Sequence, residues 1–388
     1  MSYYFLPYFI VTTLYLTFFV VEYNATKLIV KRVIAEVCPI VFFLFWGMRN
    51  YTFCDWRNYK DYFDNLTQNS VSLSKFEPGW CLLNYIVRFF TENYLVVEIV
   101  ATTIMLLLLR FIFQKFSRYH ALSWGFFCSC VLLLMSTGVV RSGLAWMICF
   151  CFINLIKQQK KWCYFFIIFV ACLFHISALL FIFVYFFSNR LYNLKLYWTM
   201  LIGGAVSYIF RCSPFDFILR SVVSSLDNFN YLLHTEIFSR TYSPQWGLFL
   251  FLIVVFCVLL NFSRKLNCQE VYFAIFFNIF SMALFLFCFL NSLGELQTRL
   301  FMLFFPAILI LLPMLFKNVI KESRNSCLKL LFFIFCFLYM MRMSINYRQV
   351  MWKYENILWG EFTSVEDRYY EITEEILENK EICYDKIK

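Results

Sequence analysis

Long apolar runs alternate with short polar connections along almost the whole chain. Runs of about 18 or more apolar residues are stable inside a lipid bilayer, where a helix satisfies its own backbone hydrogen bonds. The predicted spans are Tyr4–Val21, Val33–Met48, Tyr94–Phe113, Ala121–Ser136, Val139–Ile156, Trp162–Phe187, Leu196–Phe210, Gln245–Phe262, Val271–Asn291, Arg299–Phe316 and Leu328–Ile345. The pattern therefore predicts an all-α, polytopic integral membrane protein with about 10–12 transmembrane helices. Residues 1–360 are expected to form a single transmembrane domain, followed by an acidic tail at 361–388.

The composition supports the same class of protein. Hydrophobic residues make up 62% of the chain and charged residues only 15%, whereas soluble domains have about 45–50% apolar and about 25% charged residues. A soluble enzyme, a disordered chain and a collagen-like fibre are therefore excluded. The net charge of +10 comes from Lys and Arg in short loops between apolar runs. Such loops are typical of the cytoplasmic side of a membrane protein, so no nucleic acid is expected as a partner.

The cysteines do not indicate a metal site. Most of the 16 Cys residues lie in apolar runs, where Cys packs as a small apolar side chain. The sequence contains no Cys-x-x-Cys motif and no Cys/His cluster with the spacing of a zinc site. We therefore predict neither a metal nor another cofactor.

The distribution of Lys and Arg predicts which loops lie in the cytoplasm. Six short loops together carry half of the 34 Lys and Arg residues and are placed inside: residues 22–32, 110–120, 157–161, 188–195, 263–270 and 317–329. Two long loops with balanced charge, residues 49–79 and 211–244, are placed outside as periplasmic loops.

One apolar run conflicts with this simple orientation. Loops 157–161 and 188–195 are both basic, although only Trp162–Phe187 separates them. We therefore predict that this run enters and returns as a broken or re-entrant hairpin around the polar break Phe174-His175-Ile176-Ser177. Non-helical backbone at that depth needs protein or a wet cavity around it. The orientation thus places His175 at a polar site that opens outward, and it places both termini outside.

Charged residues gather at the outward face of this topology. They are Arg49, Asp55, Glu77, Arg141, His175, Glu295 and Arg299, together with Asp216, Arg220, Asp227, His234, Glu236 and Arg240 of the second long loop. A charge at membrane depth is costly and marks a functional candidate, and paired arginines can bind a phosphate or diphosphate bidentately. The alternative is that each Arg pairs with an acid, or extends to the interface and sets the depth of its span.

Two interpretations stay open for the other polar candidates. His175 is a candidate general base because its pKa suits proton transfer near neutrality, and Asp55 and Glu77 compete for that role. The alternatives are a hydrogen-bonded structural His175 and a Glu77 that accepts backbone N–H bonds at a helix start. That helix start belongs to the amphipathic stretch Trp80–Phe90, which we expect to lie in the outer interface.

Tyr and Trp recur at the ends of the spans and in the outer loops. An interfacial aromatic belt explains most of them. Tyr59, inside the first long loop, and Trp80, directly after it, are candidates for stacking on sugar rings, whose C–H faces pack on aromatic surfaces.

Six short motifs follow one another along residues 1–360. They are Arg49-Asn50-Tyr51-Thr52-Phe53-Cys54-Asp55-Trp56 with Tyr59, Phe76-Glu77-Pro78-Gly79-Trp80, Val140-Arg141-Ser142-Gly143-Leu144-Ala145, Phe174-His175-Ile176-Ser177-Ala178-Leu179, Arg299-Leu300-Phe301 and Tyr354-Glu355-Asn356-Ile357-Leu358. In order and spacing they resemble the motifs of EpsG/Wzy-type polysaccharide polymerases, and the His and Glu-Pro-Gly motifs are the specific ones. One departure is Phe53-Cys54, which stands where the family has Gly-Thr before the loop Asp.

The resemblance implies a glycosyltransferase that joins repeat units carried on undecaprenyl diphosphate into O-antigen, capsule or exopolysaccharide. It implies an active site at the outer face of the bacterial inner membrane, with lipid-linked oligosaccharides, membrane lipid and a chain-length regulator as partners. Such chemistry needs cations at the diphosphate leaving group and a base for the attacking hydroxyl. The expected assignments are Arg141, Arg299 and Arg49 for the diphosphate, Tyr59 and Trp80 for the sugar, and His175, Asp55 or Glu77 for the base.

Other functions fit part of the pattern. An O-antigen ligase-like transferase needs similar arginines and an outward His, and a membrane O-acyltransferase needs an acyl donor from the cytoplasmic side. A polysaccharide or lipid transporter is expected to show internal repeats and helices broken by Gly or Pro. The chain has only 10 Gly and no visible repeat, which argues against a transporter.

Overall fold

The structure, a computed structural model, describes residues 6–50, 56–66, 76–131, 140–213, 245–320, 326–345 and 354–358. The α-helices are α1 (Leu6–Asn24), α2 (Leu28–Phe42), α3 (Trp56–Asp64), α4 (Pro78–Phe90), α5 (Leu95–Phe116), α6 (His120–Phe126), α7 (Val140–Cys151), α8 (Asn154–Lys157), α9 (Lys161–Cys172), α10 (Phe181–Phe187), α11 (Leu194–Ile209), α12 (Trp246–Asn261), α13 (Ser263–Gln269), α14 (Phe273–Phe289), α15 (Gly294–Phe304), α16 (Ile308–Leu315) and α17 (Ser326–Ile345). Within these ranges the only extended pairing is one isolated bridge between Arg49 and Asn356. The predicted all-α class is confirmed for this part of the chain.

Several helices have the length and composition of membrane spans. Among the described residues, four helices are long and apolar enough to cross a bilayer: Leu6–Asn24, Leu95–Phe116, Val140–Lys157 and Leu296–Val319. A fifth is obtained if α12 and α13, which are bent by 67° relative to each other, count as one span. Of the other predicted spans, Leu328–Ile345 lies in the 20-residue helix α17, and the rest form shorter or interrupted helices. The described residues thus support a multi-pass membrane protein, and the count of about 10–12 spans stays a prediction.

The predicted hairpin segment, Trp162–Phe187, consists of α9, a 3-10 turn and α10. Tyr164 near the start of α9 stacks on Tyr185 near the end of α10, with ring centroids 6.1 Å apart, and Phe165 packs on the same ring at 5.4 Å. Because the start of one helix contacts the end of the other, the two helices run antiparallel. His175 lies in the turn between them. Whether this hairpin re-enters a bilayer stays a prediction.

A buried polar contact joins the end of this hairpin to α14, most of whose residues are buried. Asn278 donates from Nδ2 to the carbonyl oxygens of Ser188, at 3.0 Å, and Arg190, at 2.8 Å. Its Oδ1 accepts a hydrogen bond of 2.5 Å from the hydroxyl of Tyr197 in α11. Polar contacts of this kind hold helices together in lipid, where the burial of apolar surface between helices contributes little.

Three loops that the charge pattern places on one side of the membrane meet at Glu270. Arg118 donates from Nε to both carboxylate oxygens of Glu270 at 3.0 Å, Asn318 donates to Oε1 at 2.8 Å, and Lys317 Nζ lies 3.5 Å from Oε1. Burial raises the pKa of Glu270, but the hydrogen bonds from Arg118 and Asn318 and the nearby cations outweigh burial and hold this pKa below its ordinary value. An ionised carboxylate thus ties loops 110–120, 263–270 and 317–329 together.

Glu22 adds a fourth loop to the same end of the molecule. Its side chain is buried, and its two oxygens accept hydrogen bonds of 2.9 Å from the backbone N–H groups of His120 and Ala121. These groups have no helical partner because they open α6. The end of α1 is thereby fixed to the start of α6. Loops predicted to share one side are thus neighbours in the structure, and which side faces the cytoplasm stays a prediction.

Candidate functional site

The start of α4 packs against the turn of the α9–α10 hairpin. Glu77 occupies the N-cap position of α4, but its side chain makes no capping hydrogen bond to that helix. Its Oε1 accepts instead a hydrogen bond of 3.3 Å from the backbone N–H of Ile176, which opens the 3-10 turn. Beside it, the N–H of Gly79 donates to the carbonyl oxygen of Leu173 at 2.6 Å. Glu77 therefore accepts a backbone N–H bond at the start of a helical turn, as the sequence allowed. That turn belongs to the neighbouring hairpin and not to α4.

Gly79 has no room for a side chain in this contact. A Cβ atom there would come within 2.7 Å of the Leu173 carbonyl oxygen, so Gly79→Ala must separate α4 from the hairpin. We expect this variant to lose about 1–3 kcal/mol of unfolding free energy, measured as a lower thermal midpoint of the protein in detergent. Gly203→Ala is the matched control, because its nearest neighbour would be a Phe289 ring atom at 3.5 Å. Equal midpoints for the two variants would show that the contact is loose.

Among the described residues, three neighbours hold Arg141, which lies in the first turn of α7. Its Nη1 pairs with the carboxylate of Glu77, and its Nε donates to the hydroxyl of Tyr59 at 3.2 Å. The guanidinium carbon also lies 4.7 Å from the ring centroid of Phe76 and 5.5 Å from that of Tyr59, within the range of cation–π attraction. Nη2 has no hydrogen-bond partner among the described residues. The guanidinium is thus fixed on one edge and has donor capacity left on the other.

His175 caps the 3-10 turn that follows it. Its Nδ1 accepts a hydrogen bond of 3.2 Å from the backbone N–H of Ser177 and lies 2.6 Å from the Ser177 hydroxyl oxygen. The backbone at His175 is extended, with φ −159° and ψ 127°, as expected for a residue that precedes a helical turn. The sequence offered a hydrogen-bonded, structural His175 as the alternative to a base. The structure shows this structural role at Nδ1 of the ring.

The charges of Glu77, Arg141 and Arg299 all act on the His175 imidazole. Arg299 lies on α15, which packs against both α7 and the 3-10 turn, and its side chain is exposed. We call Glu77, Arg141, His175 and Arg299 the His175 cluster. The structure thus brings together four of the residues predicted for the site, from four segments of the chain. A fixed guanidinium, a second cation and an imidazole in one place can bind an anion such as a phosphate group.

Arg49 contacts residues that do not belong to the His175 cluster. Its side chain is only 3% exposed and forms an ion pair of 2.6 Å with Glu98, whose side chain is 9% exposed. The guanidinium also lies 4.3 Å from the ring centroid of Trp46. The structure therefore gives Arg49 the ion-pair role that the sequence left as an alternative. Its assistance in diphosphate binding stays a prediction.

The C-terminal motif, residues 354–358, contacts the chain close to Arg49. The π-helical turn Phe43–Gly47 ends α2, and backbone carbonyls at a helix end need partners from outside the helix. Three side chains donate to them: Asn356 to Leu44 at 2.8 Å, Tyr354 to Phe45 at 2.6 Å and Arg49 to Trp46 at 2.8 Å. The Tyr-x-Asn motif thus caps a helix, and it fixes residues 354–358 beside the start of the first long loop.

The aromatic candidates are buried rather than presented at a surface. Tyr59 is 3% exposed and Trp80 is 1% exposed, and their ring centroids lie 5.1 Å apart. Neither ring has a free face for a sugar, so the proposed stacking has no support in this arrangement. Tyr59 acts instead through its hydroxyl, which accepts the hydrogen bond from Arg141.

Some predicted residues cannot be placed. Asp55 and the six candidates of the second long loop (Asp216, Arg220, Asp227, His234, Glu236 and Arg240) lie outside the described residues, as does the side chain of Glu295. In the part of the chain that the structure describes, no group of three or more His, Cys, Asp or Glu side chains could hold a metal ion. The roles of these residues and the absence of a metal stay predictions.

Two residues of the arrangement were not singled out from the sequence. Ser177 contacts Nδ1 of His175 through its backbone N–H and its hydroxyl. Its place in the Phe-His-x-Ser motif is the sequence feature that indicates it. Glu98 pairs with Arg49, and its signal was a lone acid in the apolar run Tyr94–Phe113, because a charge at that depth needs a partner.

The chain was compared with known proteins. Neither the curated proteins nor the solved structures contain a match to it. A family model described as the EpsG family matches residues 33–356, a range that includes every member of the His175 cluster. This match covers most of the 388 residues and confirms the resemblance seen in the motifs. The chain belongs to the EpsG family and is a membrane protein of polysaccharide biosynthesis.

Proposed function

We propose that this protein is a glycosyltransferase that polymerises oligosaccharide repeat units carried on undecaprenyl diphosphate. The product is O-antigen, capsule or exopolysaccharide, and the reaction takes place at the outer face of the bacterial inner membrane. The observation that carries the proposal is the geometry of Arg141. Its guanidinium is oriented by Glu77 and Tyr59, keeps Nη2 for a further acceptor, and lies with His175 and Arg299.

The position of the His175 cluster supports an outward site. The candidate span Val140–Lys157 starts next to Arg141 and ends in the basic loop 157–161. The hairpin likewise starts from that loop and turns at His175. The cluster therefore lies at the opposite end of these helices from the loops rich in Lys and Arg, which the positive-inside rule assigns to the cytoplasm.

The reaction transfers the growing chain from its lipid diphosphate to the incoming unit. A hydroxyl of that unit attacks the anomeric carbon, the bond from this carbon to the diphosphate oxygen breaks, and the hydroxyl proton passes to a base. Negative charge develops on the departing diphosphate, and Arg141 and Arg299 are placed to stabilise it. Glu77 is ion-paired with Arg141 and hydrogen-bonded to Ile176, so it orients the cation and the hairpin.

Alanine replacement tests the proposal in cells that lack their own copy of the gene. We expect Arg299→Ala and His175→Ala to remove long-chain glycan at normal protein abundance, with losses of about 10²-fold or more. Arg110→Ala is the control, because Arg110 forms an exposed ion pair with Glu36 and is not among the charges that act on His175. Normal glycan length in both cluster variants would show that the site is wrongly assigned.

The products separate this function from its rivals. Loss of a polymerase leaves single repeat units on the acceptor, whereas loss of an O-antigen ligase-like transferase leaves none. Polymerisation of lipid-linked repeat units by the purified protein in detergent would exclude a transporter.

A further inference from the structure

We propose that His175 acts as a hydrogen-bond donor through Nε2–H and not as the general base, and that Ser177 is the positioning residue that holds it in this tautomer. The acceptor is an oxygen of the lipid-linked substrate. This inference rests on the polymerase function proposed above, and it assigns the role of one residue within that site.

The hydrogen bonds at Nδ1 determine the tautomer. A backbone N–H can only donate, so Nδ1 of His175 must present its lone pair to the N–H of Ser177, 3.2 Å away. The hydroxyl oxygen of Ser177, 2.6 Å from the same nitrogen, then acts as a second donor. A neutral imidazole carries one N–H group, which must therefore be on Nε2.

The same contacts oppose the role of a base. An imidazole with Nε2–H can take up a proton only at Nδ1, and that proton would displace the hydrogen bond from Ser177 N–H and uncap the 3-10 turn. The charged groups that face the ring among the described side chains are Glu77, Arg141 and Arg299, two cations and one anion.

A neutral imidazole that donates from Nε2 suits an acceptor-rich ligand. It polarises an oxygen as charge develops on it, and it does not need to change its own protonation state. The proton of the attacking hydroxyl then goes to a different acceptor, for which Asp55 and the departing diphosphate are the candidates. Bond formation at the anomeric carbon and departure of the diphosphate are unchanged from the reaction above.

Two amide replacements distinguish a donor from a base. The side-chain nitrogen of His175→Gln can reach the position of Nε2, whereas the amide of His175→Asn reaches only the position of Nδ1 and preserves the cap. We expect the Gln variant to keep long-chain glycan synthesis within about 10-fold of the natural protein and the Asn variant to lose about 10²-fold or more. Neither amide accepts a proton as a base does, so equal loss in both variants at normal abundance would overturn the proposal.

A second pair of variants tests Ser177 and covers the case in which an amide variant does not accumulate. Ser177→Ala removes one donor to Nδ1 and is expected to reduce synthesis about 5-fold, while Ser177→Thr keeps the hydroxyl and restores it. Unchanged synthesis in Ser177→Ala would contradict a positioning role.

Arg141→Ala separates this inference from the proposed function: if Arg141→Ala still polymerises, the site itself is wrong. If Arg141→Ala is inactive and the Gln and Asn variants are equal, only the donor role fails.

Discussion

Replacement of Arg141 by Lys is expected to abolish long-chain glycan almost as completely as replacement by Ala. The guanidinium uses Nε for Tyr59 and Nη1 for Glu77 and retains Nη2 for a substrate oxygen. A lysine ammonium is a single point charge on a flexible stem and cannot reproduce this planar arrangement. Loss of one oriented donor at a site of developing negative charge lowers the rate by about 10²–10³-fold. The measurement is the initial rate of polymerisation of lipid-linked repeat units by purified protein.

Tyr59→Phe is the matched control for the Arg141 prediction. It keeps the ring on which Arg141 lies, at 5.5 Å, and removes one hydrogen bond to a charged group. We expect a loss of about 10-fold in rate, well short of that in Arg141→Lys. Polymerisation by Arg141→Lys at a rate close to that of the natural protein would mean that charge alone is needed, and the role of the fixed guanidinium would be rejected.

Arg49→Met is expected to destabilise the protein while leaving the rate per folded molecule nearly unchanged. The variant leaves Glu98 buried without its cation and removes the hydrogen bond to the Trp46 carbonyl. Removal of one partner of a buried ion pair costs about 3–5 kcal/mol. A lower thermal midpoint in detergent and lower abundance in the membrane are the readouts, and glycan synthesis is normalised to protein.

The double variant Arg49→Met, Glu98→Met provides the comparison. Two apolar side chains of similar volume remove the uncompensated charge, so we expect this variant to recover much of the midpoint. If Arg49→Met is instead stable and fails to polymerise, Arg49 contacts the substrate, and the diphosphate role expected from the sequence would be correct.

Arg49 and Arg141 show why the sequence could not separate structural from functional cations. Both stand at the ends of apolar runs on the predicted outward face, and hydropathy assigns them the same environment. Their partners differ because Glu98 comes from α5 and Glu77 from the start of α4. Which acid meets which arginine depends on how helices distant in the sequence pack against each other.

Tyr59 and Trp80 illustrate a related limit. An aromatic residue in an outer loop is equally compatible with a sugar-binding surface, an interfacial belt and a packed core. Burial decides between these environments, and burial depends on α3 and α4 covering each other, as the contact between the two rings shows. No local pattern in residues 56–80 predicts this contact.

The sequence by itself determined the membrane class, the grouping of four basic loops (22–32, 110–120, 263–270 and 317–329) and the break in the apolar run at His175. These follow from hydropathy and charge, which act residue by residue through transfer into lipid and through the asymmetry of the membrane. Only the tertiary structure decided that Arg141 joins Glu77, Tyr59 and His175 while Arg49 joins Glu98. Those contacts depend on distances and orientations between side chains of different helices, because a hydrogen bond or ion pair forms only within a few tenths of an ångström of its optimal geometry.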